Sequence, residues 1–198
     1  MADSEFSALM QRILACQTCA KNLPLAPKPI LQADPRAPIL IAGQAPGRRA
    51  HDSGVPFDDA SGDRLRRWLG VDRAMFYDPA RFAIVPMGFC YPGKGNGGDA
   101  PPRPECAEQW HTPLLEALPN IQLTLVLGRY ALAYHLPQYR RNTVTDAVED
   151  WQSLWPRYLA LPHPSPRNQA WFKRNPWFEE QFLPGLQAQV SILLASGS

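Results

Sequence analysis

Ile39-Leu40-Ile41-Ala42-Gly43-Gln44-Ala45-Pro46-Gly47 is the stretch on which the fold turns. Four apolar residues with no polar alternation read as a strand buried on both faces, the habit of parallel sheets, and Gly43 ends the run. Working outward, Phe82-Ala83-Ile84-Val85, Leu123-Thr124-Leu125-Val126-Leu127 and Tyr158-Leu159-Ala160-Leu161 have the same character. Helical spacing lies between and around them. Phe6, Leu9, Met10, Ile13 and Leu14 predict a helix near residues 4–15. Leu65, Trp68 and Leu69 predict another behind a capping Ser61. Further helices are expected over Pro104 to Leu118, interrupted or kinked by Pro113, over Arg129 to Leu136, and over Phe178 to Leu194, interrupted near Pro184 and Gly185. Strands alternating with helices predict an α/β protein, a three-layer α/β/α fold around a central, mostly parallel four-stranded sheet. Ligands of such sheets bind outside the carboxyl ends of the strands. The segments Gln44–Gly47, Pro86–Cys90, Gly128–Tyr130 and Pro162–Ser165 are therefore expected to converge on one crevice.

The 198 residues suit a single domain over 1–198, and no linker or internal repeat divides them. With 45% hydrophobic and 19% charged residues the chain is not a disordered one. Its 22 prolines, about twice the usual ~5%, have no G-X-Y period, which excludes collagen and points to stiff loops between short elements. The formal net charge of +2 permits nucleic-acid binding without requiring it. From Trp151 to Phe178 no acidic residue occurs, while Arg157, His163, Arg167, Lys173 and Arg174 fall there with four of the six tryptophans. This is the candidate polyanion-facing surface, or else a gap in acids on a solvated face. Trp171 to Phe178 interleaves aromatic and basic residues, a pattern that serves stacking or, at helical spacing, a core; Trp177 and Phe178 are assigned to the core. No secretory leader or membrane span is read from the chain, and a cytoplasmic location is expected.

Cys16 and Cys19 form a C-x-x-C pair, and Cys90 and Cys106 flank a polar, glycine-rich loop. In a reducing compartment four cysteines are better read as ligands than as disulfides. Using all four favours one shared site, either zinc or an iron-sulfur cluster, since thiolates suit both. The loop Gly93 to Gly98 lacks the order of a nucleotide-triphosphate loop and is assigned to flexible DNA contact.

The cysteine pattern, the run Gly43-Gln44-Ala45-Pro46-Gly47 continuing through Gly54-Val55-Pro56-Phe57, and His163-Pro164-Ser165 after the last strand together resemble the uracil-DNA glycosylase superfamily, its iron-sulfur branch in particular. The resemblance spans Cys16 to about Phe178. It implies a four-iron four-sulfur cluster on Cys16, Cys19, Cys90 and Cys106, with DNA as partner and a monomeric protein. It implies excision of a base extruded from the helix, because a stacked base hides its glycosidic bond. Phe57 would stack on that base, with Gly43 and Ala45 lining its pocket. His163 would donate a hydrogen bond to the leaving base as charge builds on it. Ser165, Arg167 and Asn168 would meet the DNA backbone or minor groove.

Two departures from the branch bear on the chemistry. Gln44 stands where a glutamate is usual, and Ala50 and His51 where an acidic pair is usual. Gln44 can orient a water but not deprotonate it, so Asp52 is the candidate for activating water, with Asp58 and Asp59 in reserve. Pro86 occupies the place of the uracil-reading asparagine and offers neither a side-chain nor a backbone donor. The expected function is a DNA glycosylase acting on a deaminated base, uracil first. The alternative is a nucleic-acid binding or damage-sensing module on the same fold without the chemistry, and a third reading is a zinc-stabilised α/β protein with a small-molecule ligand.

Overall fold

The structure is a computed structural model in which residues 3–196 are described. Its helices are α1 (Asp3–Leu14), α2 (Arg48–Ser53), α3 (Ala60–Leu69), α4 (Arg73–Phe76), α5 (Pro104–Cys106), α6 (Thr112–Glu116), α7 (Gly128–His135), α8 (Val144–Glu149), α9 (Trp151–Leu154), α10 (Gln169–Arg174) and α11 (Leu183–Ala195). The strands are β1 (Ile39–Ala42), β2 (Phe82–Ile84), β3 (Lys94–Gly95), β4 (Gly98–Asp99), β5 (Leu123–Leu127) and β6 (Tyr158–Leu161). The ends of the domain drawn over 1–198, residues 1–2 and 197–198, lie outside the described residues.

Four strands form one sheet in the order β2-β1-β5-β6, every pair parallel. Alternation along the strands feeds two cores. Ile39 and Ile41 of β1 and Phe82 and Ile84 of β2 face one layer with Leu65, Trp68 and Leu69 of α3 and Val190 of α11. Leu40 and Ala83 face the other, with Leu9 and Ile13 of α1 and Trp110 and Leu114. Side chains alternate across a strand, so a sheet with helices on both sides sends successive residues into different cores. The three-layer α/β/α architecture follows. At the β2 edge, Gln32 pairs antiparallel with Ile84, and its side chain donates to the carbonyls of Phe76 and Phe82. That satisfies part of an otherwise open strand edge.

Local differences from the sequence reading have physical causes. The cap of α3 is Asp59, whose Oδ1 accepts the N–H of Gly62 at 3.0 Å, while Ser61 lies buried inside the helix. The helix from Pro104 is interrupted ahead of Pro113 by a wider turn. Ala107–His111 is π-helical between α5 and α6, a register that relieves the clash a proline ring makes with the preceding turn. Phe178–Phe182 does the same ahead of α11, which carries Pro184 in its first turn. Of the aromatics of the basic stretch, Phe172 and Phe178 are interior, while Trp171 and Trp177 are half-buried against the same core. Phe178 is fully buried, Trp68 packs edge-on to both Phe172 and Phe178, and Lys173 and Arg174 are exposed. The glycine-rich loop after Cys90 forms an antiparallel hairpin, β3 with β4.

Among the described residues no helix is long and apolar enough to cross a membrane.

Candidate active site

The ladder of β1 and β2 does not stop at the strand ends. Met87 N–H donates to Gly43 O at 2.9 Å and Gly88 N–H to Gln44 O at 3.0 Å, so the turns after the two strands are zipped together. Beside them opens a cavity of about 550 Å³, lined by Gly43, Gln44, Ala45, Phe57, Pro86 and His163 among others. Three of the four expected post-strand segments meet there. Gly128–Tyr130 does not, because α7 begins at Gly128 directly after β5 and leaves no loop to reach the crevice.

Phe57 sits on the cavity wall with φ +54°, the only non-glycine residue among those described with a positive φ. A non-glycine side chain in that region signals a position held by its surroundings. The ring contacts Phe76 edge-on at 6.3 Å, and its tip lies 3.4 Å from where a Cβ on Gly43 would stand.

His163 follows β6 and is fixed at three points. Ser165 N–H donates to its Nδ1 at 3.2 Å, and Asn168 Nδ2 donates to its carbonyl at 2.7 Å. Arg64 of α3 spans the loop beyond it, donating to Ser165 O at 3.2 Å and lying over the Phe172 ring. Because Nδ1 accepts, the neutral ring carries its proton on Nε2. Burial lowers the His163 pKa below the ordinary histidine value, against the charges of Asp59 and Asp99. A neutral Nε2–H donor on the cavity wall is the result.

Ser165 and Arg167 also line the cavity; Asn168 does not, its amide being spent on the His163 carbonyl. Asp52 is likewise absent from the wall. Two residues beyond the inward, buried Ala50, it points away from the cavity and pairs with Arg48 at 2.9 Å on the exposed side of α2. Of the reserves, Asp58 pairs with Arg73 at 2.8 Å off the wall, and Asp59 lines the cavity while capping α3.

Residues not singled out from sequence complete the site. The β3–β4 hairpin brings Asn96 and Asp99 to the wall. It is held from two sides: Arg167 Nη1 donates to Gly97 O at 2.9 Å, and Gln44 Nε2 to Ala100 O at 3.0 Å. Burial raises the Asp99 pKa, with Asp59 adding to the effect and Arg167 and His163 opposing it. Nothing local marks Asp99 or Arg64: the hairpin that carries Asp99 is held at Gly97 by Arg167, 70 residues on, and Arg64 donates to Ser165, 101 residues on.

Away from the cavity, Cys16, Cys19, Cys90 and Cys106 line a second, smaller pocket with Pro27, Pro29 and Phe89. Burial pushes the Cys90 thiol up to about 11 and the Cys106 thiol up to about 12. For Cys16, burial is outweighed by hydrogen bonds with Thr18 and from Trp110 Nε1, and its pKa is lowered. No three His, Cys, Asp or Glu side chains among the described residues are gathered closely enough for a single metal ion.

The carboxyl edge of the parallel sheet thus carries one cavity with a histidine donor and an aromatic wall. Residues 31–187 match the uracil DNA glycosylase superfamily, and the chain belongs to that superfamily, a family of DNA glycosylases. Among solved structures it is similar to the solution NMR structure of a candidate uracil DNA glycosylase from Methanosarcina acetivorans. The two share 16% identity over 81% of this chain and 97% of that one, with a TM-score of 0.49.

Proposed function

We propose that the protein is a monomeric, cytoplasmic, single-domain DNA glycosylase that hydrolyses the N-glycosidic bond of a deaminated base, uracil first, extruded from DNA into the 550 Å³ cavity. The observation that carries the reading is the Ser165 N–H on His163 Nδ1, which leaves Nε2–H as a fixed donor in the same cavity as Phe57. Such a donor meets growing negative charge on the departing base and so favours the transition state over the ground state. Phe57 stacks on the base, and Gly43 and Ala45 allow it close approach to the backbone. Gln44 has its amide committed to Ala100 and offers Oε1 to orient a water. Ser165 and Arg167 at the rim meet the sugar-phosphate backbone.

The four cysteines fit an iron-sulfur cluster. Four sulfurs surround one pocket, and burial holds Cys90 and Cys106 protonated unless a cation offsets the thiolate charge. A C-x-x-C pair joined by two cysteines from a distant segment supplies the four thiolates that a four-iron cluster takes. Bound there, the group would supply thiolate-metal crosslinks joining residues 16–19 to the segment that runs into the cavity.

The test is incubation of cluster-loaded protein with single-stranded and duplex oligonucleotides carrying uracil, hypoxanthine or xanthine, followed by alkali cleavage. Abasic product is expected, reduced about 10²–10³-fold by His163→Ala, the usual cost of losing one such donor. No product from any substrate overturns the proposal, and tight binding indifferent to His163→Ala would identify a damage-sensing module instead.

A further inference from the structure

We infer that Asp99, carried on the β3–β4 hairpin, is the carboxylate that accepts the proton of the attacking water, the task for which the turn after β1 has no acid. The inference rests on the glycosylase reading and adds to it the residue that completes the reaction.

The argument is a census of carboxylates around the cavity. Among the described residues, Asp59 and Asp99 are the only carboxylates that line it. Asp52 is bound to Arg48, and Asp58 to Arg73. Asp59 spends Oδ1 on the N–H of Gly62, where it caps α3. Asp99 makes no hydrogen bond or ion pair with any described residue, so both its oxygens are free to accept.

Position supports the same assignment. A Cβ on Gly47 would stand 3.4 Å from Asp99 Oδ2, so the carboxylate faces the turn after β1 across the cavity mouth. His163 is near enough that each group shifts the titration of the other. The hairpin is not free to swing away, because Arg167 and Gln44 hold it at Gly97 and Ala100, and Ala100 N–H closes its base on Gly93 O at 2.8 Å. Both anchoring side chains belong to the loops that form the rest of the cavity. A carboxylate held at such a place serves as a general base when it can reach the water's proton.

The step balances as a hydrolysis. The water oxygen bonds to the anomeric carbon as the bond from that carbon to the base nitrogen breaks. The bonding pair leaves with the base, whose charge His163 Nε2–H offsets. One proton of the water passes to Asp99 and from there to solvent or the departed base. The charged and titratable groups that act on Asp99 are Arg167, His163, Asp59 and Lys94, and Arg49 also lines the wall.

Single-turnover rates on the best substrate of the panel test this for wild type, Asp99→Asn, Asp59→Asn and Asp99→Asn with Gln44→Glu, from pH 4 to 9. Asp99→Asn is expected to slow cleavage about 10²–10⁴-fold, the usual span for a general base, with DNA binding and melting temperature unchanged. The acid limb of the wild-type profile should vanish in Asp99→Asn and stay in Asp59→Asn. A glutamate at position 44 should restore part of the rate by supplying an acid from the other wall. Wild-type activity with Asp99→Asn equally fast, or with its acid limb intact, overturns the inference alone. A wild-type protein inactive on every substrate overturns the glycosylase reading and this inference together.

Discussion

The carbonyl oxygen of Phe57 occupies the space that a side chain on residue 62 would need: a Cβ built on Gly62 stands 1.8 Å from it. The N-terminal turn of α3 is thus pressed against the backbone that holds the Phe57 ring on the cavity wall. The positive φ of Phe57 and the missing side chain of Gly62 are two parts of one device. The same glycine gives its N–H to the Asp59 cap, so it cannot move off without uncapping the helix.

Gly62→Ala is therefore expected to destabilise the protein by about 1–3 kcal/mol through overpacking, despite alanine's better helix propensity. Substrate cleavage should fall with it as Phe57 is displaced. Gly185→Ala is the control, since a Cβ there meets nothing within 4 Å, and it should be neutral or slightly stabilising. Thermal melts of the two variants check this; equal melting temperatures would contradict it.

Removing the Arg167 tie should loosen the hairpin and little else. In Arg167→Ala, amide hydrogen exchange across residues 94–99 should speed up while β1 and β5 keep wild-type protection, because local openings follow local contacts. Arg167→Lys loses the planar fork and should resemble alanine more than arginine. Exchange rates unchanged in both variants would show that Gln44 alone seats the hairpin.

Substituting Cys106 by serine should cost the protein its visible absorption and most of its iron, and lower its melting temperature. The sulfur is buried in the shared pocket, and a hydroxyl is a poor substitute for a thiolate on iron. Iron and zinc analysis of anaerobically purified wild type decides the metal. Colourless protein with stoichiometric zinc would reverse the cluster assignment.

Acid should weaken the fold through two histidines remote from catalysis. Burial lowers both His111 and His135 to about 4 from an ordinary 6.5. The unfolded chain then binds more protons than the folded one between those values, so stability falls as pH drops through that window. The loss is at most about 3 kcal/mol per histidine at about 1.4 kcal/mol per pH unit. His135→Phe, which breaks no hydrogen bond of the structure, should remove its share. Denaturant melts at pH 4.5 and 7 measure the difference, and an unaltered slope in the variant would refute the account.

How much of this was legible in the sequence depended on how local each cause is. The strands at Ile39–Ala42 and Leu123–Leu127 were readable because double burial leaves an unbroken apolar run. His163, Phe57 and the lining turn were readable because they lie together in short motifs. Asp52 was favoured by its nearness to the motif, but two residues along a helix turn a side chain about 200° from the buried Ala50, to the outside. The hairpin bearing Asp99 has no apolar pattern at all. Its order comes from Arg167 and Gln44, about 70 and 55 residues distant, and no local rule anticipates such anchors. The π-helical turn at Ala107–His111 was hidden for a related reason: Pro113 announces a disturbance without saying whether the helix bends or widens.

Pro86 takes on a different meaning once its carbonyl is followed. That oxygen accepts from His111 Nε2 at 3.1 Å, so position 86 turns its one polar group toward the core and only a saturated ring toward the cavity. A wall of methylenes sorts visitors by contour and is blind to their donor and acceptor pattern. On the proposed glycosylase reading, discrimination among bases then falls to the opposite rim, and a gain of selectivity has one address: a side-chain amide introduced at this place.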